Sequence, residues 1–335
     1  MNSSPAADTP APPDFADVAN AAARLAPHAV ETPLLDCPAL DATTGGRVLV
    51  KAEMLQRTGS FKFRGAFNRI SRIDDAKRTR GVVAFSSGNH AQAVAAVAQL
   101  FGVPATIVMP ADAPRMKAEA TRGYGAEVVF YDRAGESREE IAGRLCAEKG
   151  ATLIPPFDDP LIMAGQGTVG LEIARQAGAR GLVPDAVLVP VSGGGLIGGT
   201  AIAIKETFPA AQMWAVEPRG FDDTARSLAS GRRETNPAST GSFCDALLVT
   251  SPGRLTFQVN SRLLTGGLTV SDAEVAGAMG FAFRHLKLVV EPGGAVALAA
   301  VLTGKLDCRG RTVVVVCSGG NVDPAVFCQA ICAAS

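Results

Sequence analysis

The stretch from Thr58 to Ala66 holds one lysine, Lys62, between Phe61 and Phe63, with Gly59 and Gly65 on either side. Burial in such small, apolar company disfavours the ammonium form and lowers a lysine pKa. A neutral amine is the nucleophile that Schiff-base chemistry needs. By itself, this stretch is better explained by a lysine whose stem is buried and whose charge reaches water.

Further stretches change that balance. Ser192-Gly193-Gly194-Gly195-Leu196-Ile197-Gly198-Gly199 follows an apolar run and opens a helical one. Glycines there let backbone N–H groups close on an anion at a helix N-terminus, and a phosphate is the expected guest. A plain turn does not need three consecutive glycines, which cost chain entropy. Ser86-Ser87-Gly88-Asn89-His90 stands at another strand-to-helix junction, suited to a small carboxylate or to simple capping by Ser86 or Ser87. Alone, capping is the better explanation, and a lone His90 is more often structural than catalytic. Cys317-Ser318-Gly319-Gly320-Asn321 places a hydroxyl and glycines after the last apolar strand, where open α/β sheets bind ligands. Glu217 and Asp223 could hold a hard divalent cation or simply lie in a solvated loop. A rival explanation remains locally good: Gly193, Gly195 and Gly198 match G-x-G-x-x-G, and Glu217 ends the next strand. That pattern expects a nicotinamide-binding oxidoreductase, but it leaves Lys62 and the two serine turns unexplained.

The elements that must position these residues alternate. Strands are expected over residues 47–53, 81–85, 105–109, 126–131, 152–154, 186–191, 212–217 and 311–317. Helices are expected over 15–26, from Lys62, and over 91–101, 114–124, 137–149, 167–177, 197–207, 272–286 and 294–303, with 219–268 rich in loops. Such alternation implies parallel sheets built from right-handed crossovers, in two α/β units with Lys62 near their junction. The expected division is a disordered tail over 1–14, a large domain over 15–75 and 157–335, and a small domain over 76–156.

With 335 residues, 47% of them hydrophobic, the chain can bury a substantial core. A net charge of zero argues against nucleic acid, and no run has the length of a membrane span. The seven scattered cysteines form no C-x-x-C pair, so reduced thiols in a cytoplasmic protein are expected.

Together, Ser60-Phe61-Lys62-Phe63-Arg64-Gly65-Ala66, Ser86-Ser87-Gly88-Asn89-His90, Ala164-Gly165-Gln166-Gly167-Thr168, Ser192-Gly193-Gly194-Gly195-Leu196 and Ser318-Gly319-Gly320-Asn321 occur in one order. The chain thereby resembles the fold type II pyridoxal-phosphate enzymes, in the branch of threonine/serine dehydratases and serine racemase. The resemblance covers roughly residues 25–330. It implies two parallel-sheet domains of tryptophan-synthase-β type, with the active site in the cleft between them. Lys62 would carry pyridoxal 5'-phosphate and later move the substrate's α-proton. Phe61 would pack near the ring, Asn89 bond its phenolic oxygen, and Ser318 meet its pyridine nitrogen. Gly193, Gly194, Gly195 and Leu196 would hold the phosphate. Ser86, Ser87, Asn89 and His90 would line the substrate-carboxylate pocket, and Ser87 matches the second acid/base of the racemases. Arg138 matches an arginine near the active-site mouth. Glu217, the Phe221 carbonyl and Asp223 match a site for Mg²⁺ or another divalent cation. The implied activity is α,β-elimination from a β-hydroxy amino acid, giving a 2-oxo acid and ammonia, in a homodimer. Racemisation on the same scaffold is the nearest alternative. A serine at the pyridine nitrogen is a neutral partner that suits elimination.

Two departures bear on specificity. Where the family usually shows Asp-Gly, this chain has Asp245-Ala246, and Phe157 stands where racemase-like members carry a polar residue. An apolar Phe157 beside Val249 suits a larger or less polar β-substituent, which keeps threonine and admits 3-phenylserine. Arg138 favours instead a second carboxylate, as in 3-hydroxyaspartate.

Overall fold

The computed structural model describes residues 10–113 and 115–333; the expected tail over residues 1–14 lies outside them as far as residue 9. The first helix, α1 (Phe15–Leu25), starts at a capping box made by Asp14 and Asp17. There follow β1 (Leu34–Leu35), α2 (Pro38–Thr44), β2 (Arg47–Ala52), α3 (Lys62–Ser71) and α4 (Asp75–Arg78). A regular alternation comes next: β3 (Val82–Phe85), α5 (Asn89–Phe101), β4 (Ala105–Pro110), α6 (Arg115–Gly123), β5 (Glu127–Tyr131), α7 (Arg138–Lys149) and β6 (Thr152–Leu153). The second series is α8 (Pro160–Gly178), β7 (Ala186–Pro190), α9 (Gly195–Thr207), β8 (Gln212–Pro218), α10 (Asp223–Ser230), α11 (Arg254–Leu263) and β9 (Gly266–Val270). The chain closes with α12 (Asp272–Phe281), α13 (Pro292–Leu302), β10 (Thr312–Cys317) and α14 (Pro324–Ala333).

Two sheets result, each the centre of one α/β domain. The larger runs β1-β2-β10-β7-β8-β9 and the smaller β5-β4-β3-β6. Every pairing is parallel except the edge pair β1–β2. The central strand β10 carries Val313, Val314, Val315 and Val316, all fully buried. Their side chains alternate between two apolar clusters, one on each face of the sheet. A continuous valine run is what a strand covered by helices on both faces requires. No helix among the described residues is long and apolar enough to cross a membrane.

This topology explains the convergence of distant motifs. Strands β2, β10 and β7 are parallel neighbours. The segments leaving their carboxyl ends therefore emerge side by side: the approach to Lys62, Ser318–Asn321, and the Ser192–Leu196 loop.

Three expectations need correction. The helix expected from residue 167 begins at Pro160, because Asp159 caps it by accepting from the N–H groups of Leu161 and Ile162. Its glycines are packing sites rather than breaks. A Cβ on Gly165 would stand 2.7 Å from the Arg64 carbonyl, and one on Gly167 would stand 2.8 Å from that of Gly199. Helix α8 thus brings α3 and α9 close on either side. The stretch over 219–268 carries α10, α11 and β9 rather than mostly loop. The helix expected over 272–286 is regular only to Phe281 and ends in one π turn, Ala282–Leu286. Helix α14, not anticipated, follows the last strand.

Candidate active site

Lys62 is the first residue of α3. Its Nζ donates to the Pro156 carbonyl at 2.8 Å and lies 5.2 Å from the centre of the Phe61 ring. Burial lowers its pKa to about 8. The helix is locked two residues further on. Arg64 is paired to Glu53 through two bonds of 2.8 Å, and to Glu172 through bonds of 2.6 and 2.9 Å. Lys51 Nζ adds a 2.6 Å bond to Glu172. Removing one partner from such a buried network would leave an uncompensated charge, which costs about 3–5 kcal/mol. Ahead of Lys62, Thr58 takes the left-handed conformation at φ 61°, and its carbonyl accepts from Asn321 Nδ2 at 2.7 Å.

The segment from Pro156 to Asp159 ties Lys62 to the glycine loop. The Phe157 ring packs into the space left by Gly193, where an added Cβ would stand 2.2–2.3 Å from ring carbons. Asp158 accepts from the N–H groups of Arg254, Leu255 and Thr256 at 2.9, 2.9 and 3.2 Å and so caps α11. That helix holds the loop from behind. Thr256 Oγ1 donates to the Gly193 carbonyl at 2.6 Å, and Asn260 Nδ2 to the Gly194 carbonyl at 3.3 Å. In a trans peptide the N–H opposes the C=O, so the N–H groups that follow these carbonyls face away from α11. Gly194, at φ 92°, is the N-cap of α9 and offers no side-chain cap. The first N–H groups of that helix have no partner within it. The result is an anion cradle.

At the other turn, α5 begins at Asn89 with Gly88 as an N-cap and no side-chain capping bond. Neither serine caps it: Ser86 Oγ accepts locally from the Gly88 N–H at 3.2 Å. Ser87 is half-buried and has no hydrogen-bonding partner among the described residues. His90 is buried and its Nε2–H donates to the Ile154 carbonyl at 2.9 Å. Burial, with a smaller contribution from the Lys62 charge, pushes its pKa down to about 3, so it is neutral at physiological pH. Asn89 Nδ2 donates to Glu291 Oε1 at 2.6 Å, and Asn321 Nδ2 donates to Asn89 Oδ1 at 2.7 Å. Ser318 is buried, and its carbonyl accepts from the Phe61 N–H at 3.1 Å. Arg138 lies 5.2 Å over the Phe85 ring, one residue before the serine turn, and bonds to Glu139. Ala246 packs over Gly293, with 3.2 Å between its Cβ and where a Gly293 Cβ would stand. Lys117 of α6 forms an ion pair with Asp245.

Glu217 lies near the end of β8 and Asp223 at the start of α10. Glu217 is buried and accepts from the N–H groups of Thr224 and Ala225 at 2.9 and 2.8 Å. Asp223 Oδ1 accepts from Asn236 Nδ2 at 2.6 Å, while its Oδ2 is buried without a partner. The same Asn236 Nδ2 donates to the Val249 carbonyl at 2.9 Å. Burial, then the neighbouring Asp223, pushes the Glu217 pKa up to about 8; burial raises that of Asp223 to about 6. Among the described residues, no three or more His, Cys, Asp or Glu side chains gather around a metal position.

A family model described as pyridoxal-phosphate dependent enzyme matches residues 25–319. The chain belongs to this family. It is 46% identical, over 92% of its length and 95% of the relative's, to an L-threo-3-hydroxyaspartate ammonia-lyase from a Pseudomonas species. It is 42% identical, over 93% and 94%, to the enzyme of that name from Saccharomyces cerevisiae. The solved structure of maize serine racemase superposes with a TM-score of 0.89 at 38% identity, covering 95% of this chain and 97% of that one.

The residues present fit the family's cofactor. The cradle at Gly193–Leu196 suits a phosphate, and Lys62 has the depressed pKa of a carbonyl-reactive amine. The family model that matches residues 25–319 is that of pyridoxal-phosphate enzymes. The oxidoreductase alternative therefore falls. Several supporting residues had no sequence motif: Pro156, Asp158, Thr256, Asn260 and Glu291. Only Glu291, a charge ahead of a Pro-Gly-Gly helix start, stands out in hindsight.

Proposed function

We propose that this chain is an ammonia-lyase that dehydrates a β-hydroxy amino acid, and that its preferred substrate carries a second carboxylate, as 3-hydroxyaspartate does. The observation that carries the specificity is Arg138, stacked on Phe85 at the edge of the serine turn, with the adjacent Glu139 as its one carboxylate partner among the described residues. A substrate with its α-carboxylate at the α5 N-terminus would present its distal carboxylate to that guanidinium, which favours charged, planar acceptors. Two relatives named for L-threo-3-hydroxyaspartate support this reading.

Pyridoxal phosphate, when bound, supplies the electron sink that makes the α-proton removable. The chain's own contributions divide by element. Gly193–Leu196 would bind the phosphate and Asn89 the phenolic oxygen, while the buried Ser318 would offer the pyridine nitrogen a neutral partner. Lys62 Nζ would hold the cofactor and then take the α-proton. Ser86, Ser87 and the open N-terminus of α5 would orient the α-carboxylate. His90 would shape this wall, because its bond to Ile154 and its low pKa keep it from proton transfer. Loss of the β-hydroxyl as water and hydrolysis of the released enamine give a 2-oxo acid and ammonia. Glu217, the Phe221 carbonyl and Asp223 would hold a divalent cation; two buried carboxylates with raised pKa values and an unpartnered Asp223 Oδ2 support that.

Racemisation is a second reading, favoured by the unpartnered hydroxyl of Ser87. A panel of L-threo-3-hydroxyaspartate, L-threonine, L-serine and 3-phenylserine, assayed for 2-oxo acid with chiral analysis of recovered substrate, separates the readings. The diacid should give the highest kcat/KM. Arg138→Gln should lower that value by about 10- to 100-fold, the worth of a charged hydrogen bond, and leave threonine nearly unchanged. A higher kcat/KM for threonine or 3-phenylserine would overturn the assignment of Arg138.

A further inference from the structure

Glu291 is a buried carboxylate that forms no ion pair among the described residues and accepts one side-chain hydrogen bond, from Asn89. It sits directly over Gly319, where an added Cβ would stand 2.1 Å from its Oε1. It therefore touches the turn that carries Ser318 and also the residue that begins α5. Asn89 is held at both ends of its amide. Its Oδ1 faces Asn321 Nδ2, whose other N–H is directed to the Thr58 carbonyl, and its Nδ2 faces Glu291. Turning the amide over would set N–H against N–H and oxygen against carboxylate. An asparagine amide carries two N–H donors, so one remains, in a defined direction.

We propose that Glu291 is a positioning residue: it fixes the Asn89 amide so that the remaining N–H meets the cofactor's phenolic oxygen, and thereby sets the tautomeric balance of the cofactor held on Lys62. This rests on the cofactor placement proposed above. The phenolic oxygen would share a proton with Lys62 Nζ once the cofactor is held there. A donor aimed at that oxygen favours the tautomer with the proton on nitrogen, which absorbs at longer wavelength. The bond from Asn321 polarises the amide from its oxygen end and so strengthens that donor, while the bond to Glu291 fixes its direction. Burial raises the Glu291 pKa to about 7. The charged groups that act on it besides are Asp245, which raises it, and Lys117, which lowers it.

The test is the absorbance of the purified, cofactor-loaded enzyme. Asn89→Ala and Glu291→Leu, which leaves no acceptor at that position, should both shift the ratio of long- to short-wavelength bands toward the short, by about fivefold for one hydrogen bond. The double variant should shift no further than Asn89→Ala alone. Asn321→Ala should shift the ratio in the same direction by less, and serves as the reading if Glu291→Leu does not fold. An unchanged ratio in Glu291→Leu, or in Asn321→Ala where that variant stands in, beside a shifted one in Asn89→Ala overturns the proposal. If the wild type shows no such bands, or Lys62→Ala keeps them, the cofactor placement itself fails, which is seen without any Glu291 variant.

Discussion

The two anion sites proposed for the cleft are built from the same part, a strand-to-helix junction with free N–H groups, yet they are held in different ways. The Gly193–Leu196 cradle is braced from within its own domain: Phe157 fills the space over Gly193, and α11 ties down both glycine carbonyls. The Ser86–His90 turn is held from both sides: within its own domain by Ser86 to the Val108 carbonyl and His90 to the Ile154 carbonyl, and across the cleft through Asn89 to Glu291 and Asn321. A second cross-cleft contact, Lys117 to Asp245, joins α6 to the turn that carries Ala246. A cofactor phosphate stays through many turnovers and suits a rigid cradle. A substrate carboxylate must arrive and leave, and a wall fixed by contacts between domains can yield when those contacts open.

The contrast can be broken from either side. Lys62→Ala removes the residue between the two sites, and turnover should fall by about 10³-fold or more; near-normal turnover would exclude Lys62 as the proton carrier. Gly193→Ala drives a methyl into the Phe157 ring, an overpacking that costs about 1–3 kcal/mol. Cofactor affinity by titration should fall by roughly tenfold or more, and Phe157→Ala in the same chain should recover part of it. Absence of recovery would show that the glycine matters for its backbone and not for the ring above it. In cofactor-free protein, the rate of cofactor capture should rise with pH and level off above about 8, since burial lowers the Lys62 pKa and only the neutral amine attacks. A rate flat across that range would mean that Lys62 is already neutral, or that amine attack does not limit capture. Smallest is Lys117→Ala. A half-exposed ion pair is worth about 1 kcal/mol or less, so substrate KM should rise by at most about fivefold with cofactor affinity unchanged. A drop in cofactor affinity would show that the two sites are not held independently.

The side chains proposed to carry the chemistry could be picked out from the chain because they are local: Lys62 between phenylalanines, the triple glycine, the serine turns and Ser318 each sit in a contiguous stretch with its own backbone demand. The alternation of strands and helices was legible for a similar reason, since a buried parallel strand must be apolar along its whole length. Helix α8 was read short because glycine lowers intrinsic helix propensity, and only the proximity of Arg64 and Gly199 shows what its glycines are for. The supports of the site were not legible at all. Pro156 reaches Lys62 from 94 residues away, and Glu291 reaches Asn89 from 202. Their residue types carry no local pattern, because their partners come from other strands of the fold. Local composition thus determined which groups can react; the order of strands in two sheets decided which distant groups hold them in place.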